Sequence, residues 1–148
     1  MIDTLGGDYI RGRYFDNIPH YHGDVVRQIF IVGAALLLIG APFYSSSLWI
    51  ELPFEIIGAI LLIALAALAN PHQKIVFLFG AAASGAGLVI FQTWALAAFQ
   101  ESTWFQFALR EVLAVLFLAG FYFCMKTVRA FLMHKIGKHD EAGEFDEE

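Results

Sequence analysis

Apolar positions in this chain neither alternate nor keep to a one-sided stripe. They collect into four blocks, 25–44, 52–69, 75–99 and 104–128, separated by short polar clusters. Each block is roughly 18–25 residues, enough for a helix to cross a hydrocarbon core of about 30 Å. The block ends carry helix punctuation. Asp24 is placed to cap the first, Pro53 lies near the first turn of the second, Asn70-Pro71 stops the second, and Thr103 with Gln106 has capping-box spacing for the fourth. The connections "SSSLWIE", "NPHQK" and "QEST" are short, so consecutive helices should lie antiparallel and adjacent. The expected fold is all-α: an integral membrane four-helix bundle spanning 25–128, with an interfacial segment at 1–24 and an extension at 129–148.

Composition strengthens this picture. Of 148 residues 59% are hydrophobic and 16% charged, against about 45–50% and about 25% in ordinary soluble domains. The first 24 residues hold Asp3, Asp8, Arg11, Arg13, Asp16 and Asp24 with no apolar stretch, so no cleavable signal peptide is expected before the first block. A single cysteine, Cys124, excludes an internal disulfide.

Orientation follows from lysine and arginine, which collect on cytoplasmic flanks. Arg11, Arg13 and Arg27 lie at the first end, Lys74 in the second loop, and Lys126, Arg129, Lys135 and Lys138 after the last block, while the first and third loops have none. Both termini are therefore expected in the cytoplasm, in a multi-pass protein of the cell membrane, the inner membrane in a bacterium.

Two internal features stand out. The stretch "FGAAASGAG" in the third block puts small residues four apart, and Gly80, Ala83, Ser84 and Gly87 offer a surface where another backbone can approach closely. That surface suits packing inside one bundle or a contact between subunits. The second feature is "ALREVLAV", which places Arg110 and Glu111 inside an apolar run. Counting from the expected outer ends, Arg110 lies about 9 Å beyond Trp104 and Gln92 about 10 Å before Phe99, with Glu55 in the first turn of its block. Glu55, Gln92, Gln106, Arg110 and Glu111 thus share a depth and are expected to form a polar layer in the outer half, Arg110 between two carboxylates. Three readings of the pair stay open: an arginine snorkelling to headgroups, a buried ion pair that fixes register, and a water-filled or conducting site.

Outside the blocks, "FDNIPHYHGD" brings Asp16, His20, His22 and Asp24 together, residue types that suit a divalent metal, although their spacing matches no defined metal motif. No cofactor is expected. After the fourth block Val128, Phe131, Leu132 and Ile136 recur at helical spacing among Lys126, Arg129, Lys135 and Lys138, as in a basic helix lying on anionic lipid. The last ten residues carry six acids and read as a solvated tail. No histidine falls within a block, and the glycines of "LGGDYIRGR" make no phosphate loop. These features point away from an enzyme and from a nucleic-acid partner. The expectation is a non-enzymatic oligomerising or accessory subunit of a membrane complex, with other membrane subunits or copies of itself as partners. The alternative is a small oligomeric channel or transporter built on the polar layer.

Overall fold

A computed structural model describes residues 21–134 and 136. It contains four helices: α1 (Gly23–Tyr44), α2 (Leu48–Leu68), α3 (Lys74–Ala97) and α4 (Trp104–Leu132). All four are long and apolar enough to cross a membrane, and the described residues include no strand. The segment 1–20 and the acidic tail lie outside the described residues.

Helix ends depart from the sequence pattern where local polar groups intervene. Helix α1 starts at Gly23 with His22 at the cap position, so Asp24 is not the cap. It lies in the first turn, where a carboxylate meets the positive end of the helix dipole, and its Oδ1 lies 3.7 Å from Arg27 Nη1. Helix α2 begins at Leu48, earlier than the apolar block, because Glu51 turns back to accept a hydrogen bond from the Ser47 N–H at 3.2 Å. The capping box of α4 is present: Thr103 Oγ1 accepts from the Gln106 N–H at 3.3 Å, and Gln106 Oε1 accepts from the Thr103 N–H at 3.0 Å. Helix α4 continues to Leu132, and His134, at φ 52°, takes the left-handed conformation that commonly follows a helix C-terminus.

The helices are arranged in the order α2, α1, α4, α3. Helix α4 packs along both α1 and α3, and α1 packs along α2, whereas α2 and α3 meet only along a short stretch. The core consists of Phe30, Phe77, Leu113, Phe117 and Cys124, with Tyr44 at one end. Ile39, Ile57, Ile60, Val89 and Val115 point outward and are exposed.

The small residues of α3 divide between two faces. Gly80, Ser84 and Gly87 are buried against α4 and α1. A Cβ on Gly87 would stand 2.7 Å from the Phe117 ring, and one on Gly80 3.0 Å from Cys124 Sγ and 3.1 Å from Phe30. From the other side of the seam, a Cβ on Gly120 would stand 2.9 Å from Ser84 Oγ. Phe117 lies flat on Phe91, with ring centroids 5.8 Å apart and planes at 16°. These three small residues serve packing within the bundle. Ala83, about 40° round the helix from Gly87, borders the space between α3 and α2, which Gly87 also lines.

Candidate functional site

Arg110 is fully buried, at 0% exposure. Its Nε and Nη2 donate to the Tyr44 carbonyl at 3.1 and 2.6 Å, Nη2 also donates to Ser46 Oγ at 3.0 Å, and Nη1 donates to Ser102 Oγ at 2.7 Å. The guanidinium carbon stands 4.3 Å from the centre of the Trp94 ring. Tyr44 is the last residue of α1, where carbonyls have no partner within the helix and carry the negative end of its dipole. A planar guanidinium can serve these divergent acceptors at once and still stack on an indole, which an ammonium cannot do. One side chain thereby ties the end of α1 and the α1–α2 connection to the α3–α4 connection, α3 and α4.

This differs from the expected ion pair. Among the described residues no carboxylate lies within ion-pair distance of Arg110, and its complete burial leaves no route for snorkelling outward. The physical reason is the α1 C-terminus, which supplies negative potential from carbonyls held in place by the backbone. A second buried charge would have to lose its hydration as well. The other members of the proposed layer form separate contacts. Gln92 Nε2 donates to Glu111 Oε1 at 3.1 Å, joining α3 to α4. Gln106 belongs to the cap of α4. Glu55, 7% exposed, accepts from Ser45 Oγ at 3.2 Å.

Glu55 opens onto a feature the sequence pattern did not reveal. Because α2 and α3 diverge, a cavity of about 430 Å³ separates them. Its walls come from α2 and α3, and Leu37 of α1 and Phe117 of α4 form its floor. Glu51 and Glu55, one helical turn apart on α2, line one end, which Trp94 also borders. In each acid Oε1 has a partner, Ser47 N–H for Glu51 and Ser45 Oγ for Glu55. In each acid Oε2 is buried and has none. The Tyr44 phenol lies beside Glu55 but donates its proton to the Leu37 carbonyl at 2.8 Å. Arg110 is near enough to Glu51 for their charges to interact. This end of the cavity can therefore accept hydrogen bonds from a cationic group, while the rest of the cavity is apolar.

Sequence reasoning missed Glu51, Ser46, Ser102 and Trp94. The Glu51–Glu55 spacing in "ELPFE" was a readable signal, since residues four apart share a helix face. At the opposite end of the bundle Arg27, exposed where Arg110 is buried, also donates to carbonyls at a helix end. Its Nε donates to the Ala66 carbonyl at 3.2 Å and its Nη2 to the Ala69 carbonyl at 2.9 Å, holding the end of α2.

The remaining candidate residues lie apart from these. His22 stands against Phe123, with centroids 5.8 Å apart, and Asp24 pairs with Arg27. Asp16 and His20 are outside the described residues, among which no group of three or more metal-ligating side chains occurs. Lys126 and Arg129 are exposed near the end of α4, and Lys135 and Lys138 lie outside the described side chains. Comparison of the chain with protein-family models, curated proteins and solved structures finds no match.

Proposed function

We propose that this chain is a non-enzymatic multi-pass membrane protein, with both termini cytoplasmic, that acts as an oligomerising or accessory subunit of a membrane complex. The observation that carries this reading is the one-sided support of α2. That helix packs along α1 and only briefly along α3, and Trp49, Ile57 and Ile60 remain 92%, 65% and 62% exposed. Its outward surface suits a neighbouring membrane subunit or a second copy. The small-residue face of α3 no longer supports assembly, because Gly80, Ser84 and Gly87 are covered within the bundle.

The test is the native mass in lipid particles, combined with cross-linking of Ile57→Cys and Ile60→Cys in a Cys124→Ala background. In the producing membrane, cross-links to a neighbouring chain and a mass above that of one chain are expected. A single-chain mass with no cross-link at either position rejects assembly through α2. Orientation is tested in the same background, where Ser47→Cys should label from outside and Gln73→Cys only from inside.

A small oligomeric channel or transporter is the second reading. The specific observation in its favour is the pair of acids at the end of the α2–α3 cavity, with Glu55 itself buried.

A further inference from the structure

The α2–α3 cavity has properties that subunit assembly leaves unexplained. It reaches inward to buried side chains of α1 and α4, and its volume of about 430 Å³ falls in the range of small-molecule sites. From Glu51 to Leu62, both of which line it, α2 rises by about 16 Å. The cavity is long, apolar and polar at one end only.

A transmembrane helix is too thick to be its guest. At a diameter of about 10 Å, a single turn of helix takes up roughly 420 Å³, equivalent to the whole cavity. An extended alkyl chain has the right shape. The acids define the head group. Two buried carboxylate oxygens lack a donor, while Tyr44 donates to Leu37, Ser45 to Glu55 Oε1, and Arg110 to Tyr44, Ser46 and Ser102. A primary ammonium brings a positive charge and three N–H donors, whereas a trimethylammonium brings the charge with no donor.

We propose that the cavity between α2 and α3 binds a single-chain lipophilic primary amine in its ammonium form, the head reaching Glu51 and Glu55 and the tail lying along Leu61, Ala86 and Ile90. This goes beyond assembly and holds whatever the number of copies. Phe54 and Ile90, exposed at 73% and 60%, form the outer rim of the cavity, which opens sideways between the two helices.

The experiment uses the full chain in phosphatidylcholine vesicles, with Trp49→Phe and Trp104→Phe leaving Trp94 as the only indole. Dodecylamine brominated on its chain is the probe, compared with dodecanol and dodecyltrimethylammonium brominated in the same way. Membrane concentrations are corrected from protein-free vesicles. The amine should quench Trp94 at about one-tenth the membrane concentration of the alcohol, the scale of a charge-assisted hydrogen bond, and the trimethyl compound should fall between them. The double variant Glu51→Gln/Glu55→Gln should remove the amine's advantage. Ala86→Leu, which fills the cavity and leaves both acids in place, should weaken quenching by all the probes.

Equal quenching by amine and alcohol overturns the proposal, as does an amine advantage that survives the double variant. An unchanged response in Ala86→Leu places the guest elsewhere and has the same consequence. Loss of the amine's advantage when phosphatidylethanolamine is added assigns the site to a bilayer lipid and overturns a free single-chain guest.

Discussion

The two faces of α3 carry similar residues and have opposite surroundings. Toward α4, Gly80, Ser84 and Gly87 are covered by Phe117, Cys124 and Phe30 of neighbouring helices. Toward α2, Ala83 and Ala86 border an open cavity. Small residues create room, and the partner decides whether that room becomes a tight seam or a site. On the α4 side, large aromatic rings lie opposite the small residues, and the contact gains the dense packing that drives helix association in lipid. On the α2 side, Ala83 and Ala86 border the cavity, and Gly58 of α2 lies toward Leu37 of α1, where an added Cβ would stand 3.6 Å from its Cδ1. The closed side also has the arginine clamp, and the open side has the acids with unmatched oxygens.

The largest effect should come from the clamp. Arg110→Ala leaves the Tyr44 carbonyl, Ser46 and Ser102 without their donor, at roughly 1 kcal/mol or more apiece. A loss of about 3 kcal/mol or more is expected, read as a lowered unfolding midpoint in mixed micelles. Arg110→Lys should recover only part of it, because an ammonium cannot reproduce the fork or the contact with Trp94. Adding Glu111→Gln should give no rescue, since Glu111 is bonded to Gln92 and not to Arg110. Recovery in Arg110→Ala/Glu111→Gln would restore the ion pair expected from sequence and remove the clamp.

A smaller loss is expected from the seam. In Gly87→Ala the new Cβ would lie 2.7–2.8 Å from three atoms of the Phe117 ring, and that ring is held between the helices by its stack on Phe91. Overpacking of this kind costs about 1–3 kcal/mol. Phe117→Leu should relieve part of the clash, so Gly87→Ala/Phe117→Leu should be more stable than the sum of the single losses predicts. Strict additivity in a double-mutant cycle would show that Gly87 and Phe117 are not opposed across the seam.

These features differ in how far the sequence reveals them. Four helices follow from block length alone, because a helix that crosses apolar surroundings must be long and apolar on all sides. The cap at Thr103 and Gln106 is equally local, since both partners lie within one turn. The partners of Arg110 are a different matter. Its strongest acceptor is a backbone carbonyl 66 residues away, and every residue type carries a carbonyl. The availability of the Tyr44 carbonyl depends on α1 ending there, beside α4. Ser46 and Ser102 read as ordinary connection residues until the fold brings the two connections together. The cavity is less legible still, because it depends on the divergence of α2 from α3, and hydrophobicity is the same on a packed face as on an open one. Glu51 and Glu55 sharing a helix face was visible; that each would hold one oxygen buried without a partner was not.

The smallest effect gives the sharpest test of the comparison, because it concerns the residue next to Gly87. Ala86 and Gly87 are successive, so their side chains diverge by about 100° around α3. Both line the cavity, but Gly87 is buried with the Phe117 ring against it, whereas Ala86 is exposed. If the α2–α3 side is open as described, Ala86→Leu places its added carbons in free space and meets no ring or backbone. The change in stability should then stay within about 0.5 kcal/mol, as for exposed substitutions away from special features. The same exchange at Gly87 should be far more costly, because leucine projects further into the seam than the Cβ that already clashes. Unfolding of Ala86→Leu and Gly87→Leu under one set of conditions supplies the measurement. A large loss at Ala86 would mean that α2 closes onto α3 and that the cavity is not a standing feature of the bundle. A small loss at Gly87 would mean that the seam is loose, and the contrast between the two faces would vanish. With a neutral Ala86→Leu and a destabilised Gly87→Leu, the face of α3 toward α2 is free to receive a guest and the face toward α4 is not.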